Sequence, residues 1–293
     1  MPPKLKAYLQ LARLSNLPTV FSNVLVGAAL AAGGGALDWS NAVLAVVVAS
    51  LFYTGGMALN DLLDRDIDAV ERPGRPIPSG ALAVREVNRF TFICFGAGLI
   101  LTLVFAPGAR YFALALIGAI VAYNVFHKRW SASLVFMGLC RALVYALAAS
   151  FAVTPGSKLD SIAGVLILGG LLTLYIIGLT VIAQKEATGR LGFRRWLAVA
   201  MVFLPFTVLI VKAGADWRWT LGAGVLLLLW LIRSARFIWQ SPPKVVPAVL
   251  GWLAGISLLD AFFLTFTPFP WLSLVALACF AVTVWGHRRI AGT

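Results

Sequence analysis

The chain has 293 residues, of which 61% are hydrophobic and 12% are charged, and its mean hydropathy is +0.92. Soluble globular domains carry about 25% charged residues, so this composition excludes a soluble domain and indicates a membrane protein. The formal net charge of +13 would suggest nucleic-acid binding in a soluble protein. In a membrane protein basic residues are distributed by topology, and we expect no nucleic-acid partner.

Apolar stretches long enough to cross a bilayer follow one another along the whole chain. A hydrocarbon core of about 30 Å requires roughly 20 apolar residues per helix. By this criterion the sequence predicts an all-α, polytopic transmembrane bundle without a separate soluble domain, so that residues 1–293 form one domain. The predicted spans cover residues 17–37, 40–59, 88–106, 110–126, 132–153, 161–183, 196–212, 218–239, 246–267 and 270–287.

The connection between the last two predicted spans leaves the count at nine or ten. It consists of Thr267, Pro268, Phe269 and Pro270. Because proline interrupts helices, a tight hairpin and one kinked helix both fit this sequence.

The basic residues predict the orientation of the bundle. Most Lys and Arg residues fall in the N-terminal tail and in every second connection after it, and cytoplasmic loops carry such an excess. We therefore expect an integral protein of the cell (inner) membrane, surrounded by lipid. Both termini and the two charged loops, residues 60–87 and 183–195, are predicted to lie in the cytoplasm.

Residues 60–80, NDLLDRDIDAVERPGRPIPSG, concentrate the acidic residues of the chain. Neither Pro nor Gly occurs from Asn60 to Arg72, so we expect the second span to continue as a helix past Asp64. Positions four apart share a helix face, which places Asn60, Asp64 and Asp68 in one row with Asp61 beside it. Mg²⁺ favours carboxylate oxygens and completes its shell with water and phosphate, so Asp61, Asp64 and Asp68 are predicted metal ligands.

Arg72 and Arg75 follow the acidic residues within a run of Pro and Gly. The arginine side chain suits bidentate contacts with phosphate oxygens. Acidic groups that hold Mg²⁺ beside arginines that bind phosphate predict a diphosphate site at one mouth of the bundle. Two alternatives stay open: a solvated loop in which the acids pair with these arginines and Arg65, and a chain turn imposed only by the prolines.

This pattern resembles the first signature of the UbiA-type intramembrane prenyltransferases. It is most similar to the chlorophyll synthase and archaeal geranylgeranylglycerol-phosphate branches. The matching residues are Asn60, Asp61, Asp64 and Asp68, then Arg72-Pro73, then Arg75-Pro76-Ile77-Pro78-Ser79-Gly80. The resemblance implies nine spans, with 270–287 as an addition. It also implies Mg²⁺-dependent transfer of an isoprenoid chain from an allylic prenyl diphosphate to a small lipophilic or aromatic acceptor.

The resemblance assigns roles to the charged residues. Asp61, Asp64 and Asp68 would be the catalytic, metal-binding carboxylates, and Asn60 would bind substrate beside them. Arg72, Arg75 and Lys128 would help to draw charge onto the leaving diphosphate. Aromatic faces would then shield the allylic cation, and the candidate side chains are Tyr53, Tyr123, Tyr145 and Tyr175.

The chain departs from the family at the second acidic motif. Residues 180–190, TVIAQKEATGR, retain Glu186 as their only carboxylate. Either Glu186 and Gln184 suffice to hold a metal ion while Lys185 neutralises phosphate, or the chemistry is altered. The second possibility leaves an alternative function, a transporter or lipid-handling protein that keeps the fold without breaking the diphosphate bond.

Other polar residues within or beside the spans are also candidates. Arg141 lies well inside the fifth span, where an ionisable group is a functional candidate by default. We expect it to bind a substrate phosphate or an acceptor carboxyl, with a structural pair to Glu186 or Asp260 as the alternative. His127 and His287 are expected to be solvated at the interface.

Overall fold

A computed structural model describes residues 2–33, 35–127, 130, 133–152, 159–184, 191–211 and 216–289. All regular structure within these residues is helical, which confirms the predicted all-α class. Nine of the described helices are long and apolar enough to cross a membrane. The helices are α1 (Pro3–Leu11), α2 (Leu17–Ala32), α3 (Trp39–Leu63), α4 (Arg65–Glu71), α5 (Val84–Phe105), α6 (Arg110–Phe126), α7 (Leu134–Ala152), α8 (Leu159–Ala183), α9 (Arg194–Phe203), α10 (Val208–Val211), α11 (Trp217–Ala235), α12 (Val245–Leu264) and α13 (Ser273–Arg289).

The predicted seventh span, 196–212, is not one continuous helix. A 3-10 turn at Leu204–Thr207 separates α9 from α10. Pro205 lies at the start of this turn, where its missing N–H and fixed φ disrupt the α-helical hydrogen bonds. The prediction of an uninterrupted span is therefore wrong here.

The last two long helices form a hairpin and not one kinked helix. α12 ends at Leu264, α13 begins at Ser273, and the two helices pack against each other. The hydroxyl of Ser273 donates a hydrogen bond of 2.8 Å to the carbonyl of Ala261, which fixes the start of α13 against α12.

The two ends of the described chain meet at one end of the bundle. Nε2 of His287, near the end of α13, lies 2.6 Å from Oδ1 of Asn16, just before α2. The expectation that His287 is only solvated is therefore wrong. Two described ends on one side require an even number of passes. Within the described residues, the nine long helices and the interrupted segment α9–α10 together satisfy this requirement.

The central helices are α2 and α12, which are the most buried of the candidate spans. Small residues let α2 approach α7 closely: a Cβ at Gly27 would lie 2.3 Å from the backbone oxygen of Tyr145. Close packing through small residues is the usual way in which helices associate in membranes.

The second span does not continue unbroken past Asp64. α3 ends at Leu63, Asp64 has φ −90° and ψ 0°, and α4 begins at Arg65. The backbone N–H of Asp64 still donates to Asn60 O at 2.9 Å, and that of Asp68 donates to Asp64 O at 2.8 Å. The four-residue repeat therefore survives the interruption, and the polar residues keep a common face.

Candidate active site at the acidic end of the bundle

The row of polar residues predicted from the sequence is buried. Asn60, Asp61, Asp64 and Asp68 are between 4% and 8% exposed, whereas Asp66, on the other face of α4, is exposed. A fully solvated loop is therefore excluded for these four side chains. Buried carboxylates require charged or hydrogen-bonding partners, and the surrounding helices supply them.

Arg75 joins two of the carboxylates. Its Nη1 lies 2.6 Å from Oδ2 of Asp68 and 3.3 Å from Oδ1 of Asp61. The Pro and Gly residues after α4 turn the chain back, so that this guanidinium returns to the acidic row. Arg72 lies at the end of α4, where its backbone N–H donates to Asp68 O at 2.8 Å.

Arg13 is a site residue that the sequence analysis missed. It precedes α2 with a left-handed backbone, φ 43°. Its Nη2 donates to Oδ1 of Asn60 at 3.0 Å and lies 3.4 Å from Oδ1 of Asp61. The helix α1 is anchored beside the site by an apolar cluster that contains Ala7, Leu11, Ala58, Leu82 and Val87.

The carboxylate of Asp64 contacts a residue at the C-terminal end of α6, His127. Nε2 of His127 lies 3.2 Å from Oδ2 of Asp64, and Nδ1 of His127 lies 3.0 Å from the backbone oxygen of Asn124. Both ring nitrogens therefore have an oxygen partner in another residue. The expectation of a solvated His127 is therefore wrong. The amide of Asn60 completes this group, donating to Asp64 at 3.2 Å and to Oδ1 of Asn124 at 3.1 Å.

A largely apolar cavity adjoins the acidic row. Asn124 lies in its wall, and its hydrogen bond to Asn60 connects the cavity to the carboxylates. Of the four tyrosines predicted to face the reaction, Tyr53 and Tyr123 line this cavity. Tyr145 and Tyr175 do not line this cavity. The hydroxyl of Tyr145 donates a hydrogen bond to Asp260, and that of Tyr175 donates to the carbonyl of Trp252.

Arg141 also lines the cavity, at the position where the sequence predicts a substrate contact. Its Nη1 donates to Oδ1 of Asn23 at 2.9 Å, and the amide of Asn23 donates to Asp260 at 2.8 Å. The structural alternative, a pair between Arg141 and Asp260, is thus realised only through this intervening amide. Glu186, the other proposed partner, lies outside the described residues, as do Lys128 and Lys185.

The donor set fits Mg²⁺ that is bound together with a diphosphate. Mg²⁺ is usually held by one or two carboxylates, with water and substrate phosphate completing its shell. Asp61, Asp64 and Asp68 offer such oxygens within one buried cluster. Among the residues that the structure describes, no three His, Cys, Asp or Glu side chains converge on a common point, so a metal site made only of protein groups is not formed by them.

A helical bundle with a buried acid–arginine cluster beside a largely apolar cavity defines the class of this protein as an integral membrane protein with a polar site within its helices. The model of the UbiA prenyltransferase family matches residues 20–253, and the chain belongs to this family.

Curated relatives named digeranylgeranylglyceryl phosphate synthase are similar to part of the chain. The protein from Methanopyrus kandleri is 45% identical over 95 residues, which are 32% of this chain and 34% of that protein. The protein from Sulfolobus acidocaldarius is 33% identical over 178 residues, or 59% and 56% of the two chains. The chain therefore matches between about a third and just over half of the length of these relatives.

Two solved structures are similar over nearly the whole chain. The apo structure of a UbiA homologue from Aeropyrum pernix K1 has a TM-score of 0.63 at 16% identity, covering 97% of this chain and 99% of that one. A structure of digeranylgeranylglyceryl phosphate synthase in membranes has a TM-score of 0.57 at 21% identity, covering 97% and 100%. At these identities the likeness shows a common fold.

Proposed function

We propose that the protein is a Mg²⁺-dependent membrane prenyltransferase. It moves an isoprenoid chain from an allylic prenyl diphosphate to a lipophilic acceptor and releases diphosphate. The observation that carries this proposal is that the buried cluster of Asp61, Asp64, Asp68 and Arg75 adjoins the apolar cavity, to which the hydrogen bond between Asn60 and Asn124 joins it. The proposal places the charged head of the donor at the cluster and its chain in the cavity.

The chain's own residues account for most of the proposed chemistry. The proposal places the departing oxygen beside Arg75 and Arg13, the two arginines that contact Asp61, because preorganised cations at such a point lower the barrier to ionisation. Mg²⁺ bound with the diphosphate supplies further positive charge to the leaving group. Tyr53 and Tyr123 would shield the allylic cation from water.

The proposed reaction breaks the bond between the allylic carbon and the diphosphate oxygen. The acceptor then bonds to that carbon and loses its proton to solvent or to the released diphosphate. We assign Asn60, Arg72, Lys128 and Lys185 to the diphosphate. Glu186 is assigned as a further metal ligand, in place of the missing second acidic motif.

For the acceptor, we propose a phosphorylated glycerol lipid. The curated relatives are named for a glyceryl phosphate that carries two geranylgeranyl groups, so one such group already present on the acceptor would fit. An aromatic acid is the second acceptor class. The distribution of basic residues supports a cytoplasmic position for the acidic cluster in the cell membrane.

The test is prenyl transfer by the purified protein in detergent. Radiolabelled farnesyl, geranylgeranyl and phytyl diphosphates are supplied with Mg²⁺ and with geranylgeranylglyceryl phosphate or 4-hydroxybenzoate. We expect diphosphate release and a prenylated product, both abolished by EDTA and restored by Mg²⁺. Absence of diphosphate release with every donor would overturn the proposal and favour a lipid-handling protein.

A pair of variants tests the acidic cluster within the same assay. Asp64→Ala removes a buried carboxylate and should abolish turnover. Asp66→Ala is the matched control, because the Asp66 side chain is 87% exposed only two positions away. Equal activity of the two variants would contradict the assignment of Asp64.

A further inference from the structure

A buried polar cluster lies in the middle of the bundle and touches the cavity through Arg141. Its centre is Asp260 on α12, which is fully buried. Asp260 accepts hydrogen bonds from Ser22 and Asn23 on α2 and from Tyr145 on α7. Arg141 is the only side chain of this group that lines the cavity.

The amide of Asn23 is fixed by opposite partners. Its nitrogen donates to Asp260 at 2.8 Å, and its oxygen accepts from Nη1 of Arg141 at 2.9 Å. Reversing this amide would set nitrogen against guanidinium and oxygen against carboxylate, so its orientation is determined. Asn23 therefore transmits the position of Asp260 to the guanidinium of Arg141.

The charge of Arg141 is held in place but is not directly paired. Within the described part of the chain it forms no ion pair, and its Nη1 donates to the neutral oxygen of Asn23. Its guanidinium lies 5.6 Å from the centre of the Tyr53 ring, which also lines the cavity. Ionisable groups inside membranes are rare and mark binding pathways, and this one offers N–H donors to whatever occupies the cavity.

Arg141 and the acidic row lie at different levels of the bundle. Tyr53, whose ring the Arg141 guanidinium approaches, lies eight positions before Asp61 on α3, which is about 12 Å between the two backbone positions at 1.5 Å per residue. Arg13 and Arg75 contact the acidic row, whereas Arg141 contacts Asn23 and lines the cavity. The two positions can therefore hold separate anions.

We infer that Arg141 forms a second anion site, which binds the acidic group of the acceptor, a phosphate or a carboxylate. The inference rests on the proposed function, because the donor has its only charged group at the acidic row and an apolar chain in the cavity. An acceptor anchored at Arg141 presents its hydroxyl between the two sites, where the allylic carbon lies. Asn23 and Asp260 are positioning residues, which aim Arg141 without touching substrate.

The test compares two acceptors that differ by one phosphate. Geranylgeranylglyceryl phosphate and geranylgeranylglycerol are each supplied with geranylgeranyl diphosphate to wild-type protein and to Arg141→Gln. We expect the variant to raise the KM for the phosphorylated acceptor about tenfold to a hundredfold, because charge-assisted hydrogen bonds are lost. The KM for the donor and the rate with the unphosphorylated acceptor should stay near wild type.

Further variants separate positioning from folding. Arg141→Lys keeps the charge and should recover part of the acceptor affinity. Asp260→Asn keeps Arg141 but loosens its support, and should raise the acceptor KM alone. Arg110→Gln, at the exposed start of α6, is the control. If single variants fail to fold, the double variant Arg141→Gln with Asp260→Asn removes both charges and allows the same comparison.

The outcomes distinguish this inference from the proposed function. Wild-type transfer combined with an unchanged acceptor KM in Arg141→Gln overturns the second anion site. Equal loss with both acceptors, at a reduced thermal stability, also overturns it and leaves a purely structural cluster. If 4-hydroxybenzoate replaces the lipid as acceptor, phenol becomes the uncharged partner and the same result is expected. Absence of any transfer by wild-type protein refutes the proposed function, and the inference with it.

Discussion

Arg75 donates a hydrogen bond of 2.6 Å to Asp68, and the two side chains are only 10% and 5% exposed. The same nitrogen lies 3.3 Å from Asp61, so one guanidinium joins carboxylates that come from two consecutive helices. Removing a charge from such a buried group leaves its partners unpaired, which is far more costly than breaking an exposed ion pair.

We therefore expect Arg75→Gln to lower kcat/KM for prenyl transfer about a hundredfold or more, the usual effect of losing one preorganised charge at a reacting centre. Arg75→Lys keeps the charge but loses the fork and should be intermediate. Initial rates of product formation at saturating Mg²⁺ measure the effect. Arg65→Gln is the control, because Arg65 is half exposed and pairs with the exposed Asp66. Equal rates for the two glutamine variants would contradict this role.

Arg13 provides the second prediction. Its side chain reaches Asn60 and Asp61 from the segment before α2, so Arg13→Gln should raise the KM for the prenyl diphosphate about tenfold through loss of charge-assisted hydrogen bonds. Donor saturation curves provide the measurement. Lys6→Gln removes a charge from an exposed side chain of α1 and should leave the curve unchanged. If Arg13→Gln and Lys6→Gln have the same KM for the donor, Arg13 does not contribute to donor binding.

The parts of the site that are local in sequence could be predicted. Helical periodicity places Asn60, Asp64 and Asp68 on one face whatever the rest of the chain does, and all three are buried together. The interruption at Asp64 could not be predicted, because neither Pro nor Gly marks it. By contrast, Pro205 does mark the interruption between α9 and α10. The apolar residues around it nevertheless favoured the prediction of one span.

The partners of these carboxylates come from remote elements and have no local signal. His127 lies 63 positions from Asp64, and Arg13 lies 48 positions from Asp61. A single Arg before the first span is what topology alone would place there, so only the packing of α1 and α2 against α3 identifies it as a site residue. The link from Arg141 to Asp260 through Asn23 likewise depends on three helices meeting.

The close approach of α2 and α7 gives a prediction about stability. A Cβ at Gly27 would lie 2.3 Å from the backbone oxygen of Tyr145, and neither helix backbone can move aside freely. Gly27→Ala should therefore destabilise the fold by about 1–3 kcal/mol, the usual cost of overpacking. Gly118→Ala is the control, because nothing lies within 4 Å of its added Cβ and alanine favours a helix by up to about 1 kcal/mol. The melting temperature in detergent should be lower for Gly27→Ala than for wild type. A higher melting temperature would show that the α2–α7 contact at Gly27 tolerates a Cβ.

The cavity gives the last prediction, which concerns the length of the donor. Ala49 and Val144 line the cavity from α3 and α7, and Ala49 lies one turn beyond Tyr53 as seen from the acidic row. A chain that enters from the carboxylates reaches Tyr53 first, so a larger side chain at position 49 shortens the space behind the reacting carbon. Ala49→Phe should therefore favour farnesyl over geranylgeranyl diphosphate, changing the ratio of their kcat/KM values about tenfold or more.

Competition between the two labelled donors in one reaction measures that ratio directly. Val144→Phe fills the same cavity from the facing helix and should shift it in the same direction, which guards against a folding defect in either variant. Val47→Phe adds the same ring to a side chain that is 43% exposed on α3, and it should leave the preference unchanged. If the two cavity variants and Val47→Phe all keep the wild-type ratio, the isoprenoid chain lies elsewhere, because a ring placed in its path must discriminate against the longer donor.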